Sequence, residues 1–499
     1  MVFLRWLLWP LLLLPLAWWG WHALHAPPPG LTLDNGAKMV WGDCWFDKPL
    51  WRPVNCGRFL TAPEQDVTPP QFSLPVIHIP RPPWVSHGVA TQYIAGGPGG
   101  AAWLEPDQIG FWLDWVDAND WPSDLIVYDQ RGVGLSQPAL DCPELRELRR
   151  ELLPLPLPSE EAYRRVRNVT RACHDRLRQE GHALGRFTTS RNAADAVDLM
   201  HAIGLEQWNV YGVSYGTRVA LEMMRVVPDA LRAVVLDSPY PPQVNAELSD
   251  AWLLQRAFEL FGRICELAGR CNDSPAVLTK RLDDALDRVE RELLRLSVRD
   301  PDTGNDLAVV YDHDDVAWLL FEAMYQWDAI PDLPSSVAAL AEGRLDSAMR
   351  QLIQDSVEAL LDDTISDPVA SSVDCHDGGP VDLRDMRDTL ARYPRIADIK
   401  RYDWQYSPCR YWLSGEAPEA FREPVVSSVP ALLLAGEFDP VTPAEWAELA
   451  AESLSASRVF VFPAIGHGVL DSHVCAAALV RSFLAQPENP SPPACLSRL

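Results

Sequence analysis

Three short stretches carry side chains that could do chemistry together. The first is WNVYGVSYGTRVALEMM, in which Ser214 stands between Gly212 and Gly216. The residues before Ser214 are aromatic and β-branched, as in strands, and those after it have the apolar spacing of a buried helix. A serine on so tight a strand-to-helix turn presents its hydroxyl at a helix N-terminus, where a nucleophile is exposed. That hydroxyl needs a base to take its proton, and the base needs an orienting acid. The second stretch, ALLLAGEFDPVTP, puts Asp439 just past an expected strand, on a loop closed by prolines. The third, VFVFPAIGHGVLD, puts His467 past the next one, between Gly466 and Gly468. Ser214, Asp439 and His467 thus follow three strands in the order nucleophile, acid, base.

Other residues compete for these roles. Asp237, in VVLDSPYPP, also ends an expected strand; the loop after it is expected to enter an insertion, which favours Asp439 as the acid. His473 opens an expected helix and reads as a capping or surface residue. A developing oxyanion needs backbone N–H groups aimed at it. One is expected from Tyr215, directly after the serine, and the other from Gly97 in YIAGGPGGAAW. That glycine run lacks the Lys-Ser/Thr end of a phosphate loop.

The elements that must hold these loops alternate along the chain. Strands are expected at 58–62, 72–79, 89–95, 124–129, 208–213, 233–237, 431–435 and 458–462, several of them continuous apolar runs. Helices are expected at 192–203, 217–227, 443–453 and 472–484. Strand-helix alternation implies an α/β class: a doubly wound, mostly parallel sheet. Residues 242–425 break the rhythm. They hold charged amphipathic segments such as LTKRLDDALDRVERELLRL and no convincing buried strand, so they read as a mostly helical insertion between two sheet strands. An insertion there can form a lid over the carboxyl edge, where open α/β sheets bind ligands. The expected organisation is a leader at 1–26, a linker at 27–40, core at 41–241, lid at 242–425 and core again at 426–499.

Composition bounds the partners and the compartment. The chain has 499 residues and a net charge of −26, with no Lys/Arg-rich run, which argues against nucleic acid. Its opening, MVFLRWLLWPLLLLPLAWWGWHALHAPPPG, has one early positive charge, an apolar stretch and a proline-rich break. It reads as a secretory signal or an N-terminal membrane anchor over 6–22, hence export to a periplasm or beyond. Ten cysteines agree with an oxidising compartment: Cys44, Cys56, Cys142, Cys173, Cys265, Cys271, Cys375, Cys409, Cys475 and Cys495. None has zinc-ligand spacing, so no metal is expected, and nearest-neighbour pairing into five local disulfides is the expectation; buried free thiols are the alternative.

Together these motifs resemble one branch of the α/β-hydrolases, the secreted prolyl iminopeptidase and tripeptidyl aminopeptidase family. The resemblance rests on GGPGG (96–100), DQRGVGLS (129–136), GVSYGT (212–217), GEFDPVTP (436–443) and GHG (466–468). The tail from about 410, with Cys475 and Cys495, is similar to the C-terminal segment of the tripeptidyl aminopeptidase-like (TAP-like) members. The resemblance implies an α/β-hydrolase fold and a serine exopeptidase removing residues from a free peptide N-terminus. It implies Ser214 as nucleophile, His467 as base, Asp439 as its orienter, Gly97 and Tyr215 as oxyanion donors, short peptides as substrates and no cofactor. Ala95 stands where many relatives have histidine. Acids binding the substrate ammonium would lie in the insertion, with Asp374 and Asp377 as candidates. An esterase with the same triad and a silent binding protein on the same fold are the other readings.

Overall fold

The computed structural model describes residues 26–498 apart from 50–51, 66, 68, 82–88, 270, 327, 380, 403–404 and 413. Almost all of the expected leader, 1–26, therefore lies outside the described residues. Among the described residues no helix is long and apolar enough to cross a membrane.

Nine strands form one sheet: β1 (Lys38–Gly42), β2 (Asn55–Leu60), β3 (Ser73–Ile79), β4 (Thr91–Ile94), β5 (Leu125–Tyr128), β6 (Trp208–Val213), β7 (Leu231–Asp237), and, after the insertion, β10 (Ala431–Gly436) and β11 (Ser457–Phe462). Their spatial order is β1-β2-β3-β5-β4-β6-β7-β10-β11. The first three are antiparallel and β3 meets β5 antiparallel, while β5, β4, β6, β7, β10 and β11 run parallel. The apolar runs follow from burial on both faces. Successive residues of β7 divide between two cores, Val234 and Leu236 facing one and Ala233 and Val235 the other. β10 does the same with Leu433 against Leu432 and Leu434.

Two local expectations need correction. β1 begins at Lys38, inside the stretch read as linker, and Leu31 already donates its N–H to Ala202 O. The insertion also contains an antiparallel hairpin, β8 (Leu294–Arg299) and β9 (Asp306–Tyr311). Its strands mix exposed positions with a few buried ones, Val298, Val309 and Tyr311, so they are not buried on both faces as the central strands are. The rest of the insertion is helical, led by Ala246–Ala268, Pro275–Arg291, His313–Ala323, Ser347–Leu361 and Asp367–Gly378. It has its own core, built on Phe258, Phe261, Leu286, Leu320 and Val337. Phe438 and Trp446, from the loop and helix after β10, are buried in that core too.

The cysteines form five disulfides, Cys44–Cys56, Cys142–Cys173, Cys265–Cys271, Cys375–Cys409 and Cys475–Cys495. Each joins sequence neighbours.

Candidate active site

β4, β6, β7, β10 and β11 are consecutive in the sheet, so their carboxyl ends form one row of loops. Ser214 follows β6 and stands at the N-terminal boundary of the helix Tyr215–Val226, at φ 56° and ψ −124°. A non-glycine residue in that region is strained and persists only where its surroundings over-determine it. The two glycines do so by allowing close approach. A Cβ on Gly212 would lie 2.6 Å from Gly216 O, and one on Gly216 would collide with Ile94 O at the end of β4. The helix therefore sits directly on the glycine loop.

That loop begins where Gly96 lies against Ser214: a Cβ there would be 3.0 Å from the serine Cβ. The N–H groups of Gly97 and Tyr215 are not taken by any acceptor among the described residues. The Asp-Gln-Arg-Gly run behind the loop supports it. Asp129 accepts from Ala102 N–H at 2.7 Å and Leu135 N–H at 2.8 Å, and Gln130 donates to Ala95 O at 2.9 Å. Burial pushes the Asp129 carboxyl up to about 6, against those two hydrogen bonds. Arg131 is buried and forks onto Asp195 at 2.7 and 2.8 Å, tying the turn to the helix Thr189–Ala202. On its other side the loop meets the insertion, where Ser366 N–H donates to Gly99 O and Ala101 N–H to Thr364 O.

Asp439 follows β10 and is fully buried. Its Oδ2 lies 2.8 Å from His467 Nδ1, and its Oδ1 accepts from the N–H groups of Val441 and Thr442. Thr442 Oγ1 bridges the pair, 2.8 Å from Asp439 Oδ2 and 3.1 Å from His467 Nδ1. Burial alone would raise this carboxyl; the imidazole beside it and the hydrogen bonds from His467 and Thr442 outweigh burial and hold it below the usual carboxylate range. His467 Nε2 is buried and has no hydrogen-bond partner among the described residues. An imidazole anchored at Nδ1 with Nε2 open can accept a proton at Nε2.

Asp237 has a different task. Its carboxylate accepts from the N–H groups of Val469 at 2.8 Å and Leu470 at 2.9 Å, and from Tyr211 Oη. Beside it Ser238 Oγ accepts from Gly468 N–H at 3.0 Å. The end of β7 thus pins the backbone just after His467. Burial pushes the Asp237 carboxyl up to about 6. His473 caps the helix Val474–Ala485 through Nδ1 and Cys475 N–H.

The two acids expected to bind an ammonium group part company. Asp374 lines a cavity of about 300 Å³ together with Tyr240, Glu247, Asp250, Ala370 and Lys400. Ala370 links that cavity to the glycine loop, since a Cβ on Gly99 would lie 3.1 Å from its nitrogen. Burial pushes the Asp374 carboxyl up to about 7, with the Arg218 guanidinium opposing and Asp377 and Glu247 adding. Lys400 pairs with Asp250 and stands over the Trp318 ring. Asp377, by contrast, is fully buried outside the cavity lining, its Oδ1 2.9 Å from His376 Nδ1.

The insertion contributes residues that no motif announced. Arg256, on the helix Ala246–Ala268, donates to the carbonyls of Asp439 at 3.0 Å and Glu437 at 3.2 Å. Tyr325, just past the helix His313–Ala323, stacks on His467. Both are distant in sequence from what they touch, and neither spacing nor residue type marked them.

Two family models match this chain. Residues 99–261 match the alpha/beta hydrolase fold and residues 398–495 match the TAP-like protein family. The chain has the α/β-hydrolase fold. A tripeptidyl aminopeptidase of Streptomyces lividans is 31% identical over 218 residues, 41% of this chain and 39% of that one. The serine protease Hip1 of Mycobacterium tuberculosis is 25% identical over 343 residues, 64% of each chain. This chain thus spans less than two thirds of the length of either relative. Among solved structures, a proline iminopeptidase of Mycobacterium smegmatis aligns over 86% of this chain and 98% of its own, at 15% identity and a TM-score of 0.40.

Proposed function

We propose that this α/β-hydrolase is an exported serine exopeptidase acting near a free peptide N-terminus, of prolyl or tripeptidyl aminopeptidase type. The observation that carries the reading is the His467–Asp439 pair with Nε2 left buried and unpartnered, on the loops beside the strained Ser214. Ser214 Oγ attacks the scissile carbonyl while His467 Nε2 takes its proton. Asp439 stabilises the imidazolium and fixes the tautomer. The N–H groups of Gly97 and Tyr215 receive the oxyanion, and the imidazolium protonates the departing amine. Water then attacks the acyl-enzyme through the same base, regenerating Ser214. Every step uses this chain's own groups, so the chemistry calls for no cofactor.

The insertion, 242–425, acts as the lid, and Asp374 receives the substrate α-ammonium in the acidic cavity beside the glycine loop. A tripeptidyl aminopeptidase and a serine protease among the relatives favour peptides over simple esters as substrates. Five disulfides favour an oxidising compartment, periplasmic or extracellular.

The test is a rate comparison on oxidised full-length protein with Pro- and Ala-Ala-Pro-anilides, their N-acetylated forms and a p-nitrophenyl ester. Turnover of the free-amine anilides only, abolished by Ser214→Ala, is the expected result. Ester turnover with both peptide forms untouched would replace the peptidase reading by an esterase.

A further inference from the structure

The loop that carries His467 is clamped from two sides, by the sheet and by the insertion. From the sheet, Asp237 and Ser238 hold the N–H groups of residues 468–470. From the insertion, Tyr325 O accepts the His467 N–H itself at 3.0 Å. Gly466 makes this approach possible, because any Cβ there would collide with the carbonyls of Met324 and Tyr325. The Tyr325 ring then lies over the imidazole, with centroids 4.3 Å apart and planes 24° apart. Tyr325 keeps 42% of its surface exposed and is not part of the insertion's core.

Resting on the reading of His467 as base, we propose that Tyr325 is a positioning residue that sets the imidazole plane and stabilises its protonated form through the ring face. An aromatic face attracts a cation stacked on it, and more strongly where water is excluded. The imidazole gains a proton as Ser214 loses its own, so the contact strengthens as the reaction proceeds. It also makes the base dependent on the insertion. Met324 is buried in the insertion's core, one residue from the ring, so a displaced lid moves the imidazole plane with it.

The other groups facing the imidazole are known by position. Asp439 lies across it from the β10 loop, Asp237 acts on it from the end of β7, and Arg256 stands behind Asp439 on that residue's carbonyl. Both carboxylates favour the imidazolium, and neither is altered by changing Tyr325.

The experiment uses oxidised full-length protein with Tyr325→Phe, Tyr325→Leu and Tyr325→Met, following kcat and KM on a free-amine peptide anilide across pH. Tyr325→Leu and Tyr325→Met should each lose roughly tenfold in kcat with KM within about twofold, since a ground-state contact is not what is removed. The acid limb of kcat/KM should move about half a unit to lower pH, because the protonated base loses its partner. Tyr325→Phe, which keeps the ring, should retain both. Unchanged kcat and an unmoved acid limb in either truncated variant overturn the proposal, as does a rise in KM alone, which would make the ring a substrate wall. Using two truncated variants guards against a folding failure in one. Turnover surviving in His467→Ala would sink the base assignment and this proposal together; turnover lost there but intact in the truncated Tyr325 variants would sink this proposal alone.

Discussion

The nucleophile side and the base side of the site are built by different means. Ser214, the glycine loop and the Asp-Gln-Arg-Gly turn are held by the sheet and by backbone contacts short enough to exclude side chains. Asp439 and His467 lean on the sheet and, in addition, on side chains of the insertion: Arg256 holds one loop, Tyr325 the other, and Phe438, next to Asp439, is buried in the insertion's core. The glycine loop meets the insertion through backbone hydrogen bonds, whereas the acid and base loops also meet it through the Arg256 and Tyr325 side chains.

The contrast can be broken hardest at Ser214. Ser214→Gly should lower kcat roughly 100,000-fold. The same change should raise stability by about 1 kcal/mol in chemical denaturation, since glycine takes a φ of 56° without strain. Catalytic loss coupled to lost stability would mean that the elbow is not strained. On the base side, Asp439→Asn should cost roughly 10,000-fold in kcat by permitting the wrong tautomer. Its stability should fall as well, because the buried Asp439–Thr442–His467 network loses its charge.

A smaller effect is expected in the cavity. Asp374→Asn should raise KM for free-amine peptides roughly 10- to 100-fold, the worth of a charge-assisted hydrogen bond, with kcat nearly unchanged. In the wild type, KM should rise as pH falls through about 7, since the raised Asp374 carboxyl takes up a proton there and can no longer pair with an ammonium. The asparagine variant should lack that dependence, and a KM profile shared by both would remove Asp374 from substrate binding. The mildest change is Arg256→Gln. Its exposed partner Glu445 contributes little, but the carbonyls of Asp439 and Glu437 lose their donor, so kcat should fall by about threefold to tenfold. No change in kcat would show that the lid does not support the acid loop.

What the sequence disclosed follows the same division. Motifs made of glycines and a few polar residues at fixed spacing were legible, because local backbone geometry demands them; GVSYG and GGPGG are of that kind. Parallel strands such as β5, β7 and β10 were legible because burial on both faces leaves nearly uninterrupted apolar runs. β1 and the β8–β9 hairpin were not, since each keeps exposed positions and is not buried on both faces. Tyr325 and Arg256 were invisible for another reason. Their partners lie more than a hundred residues away, and nothing in their neighbours encodes the meeting. Asp374 and Asp377 looked equivalent as neighbours on one segment; on the helix Asp367–Gly378 they separate, one into the cavity and the other into the interior.

The disulfides close loops of 12, 31, 6, 34 and 20 residues, and no loop overlaps another. A chain threaded through a pore from its N-terminus would therefore deliver each cysteine's partner next, before any competitor. If each bridge formed on arrival, at most one thiol would wait at any moment, and scrambled pairs would have no window in which to form. The same spacing means that no disulfide joins the insertion to the sheet, so every staple is internal to one part or the other.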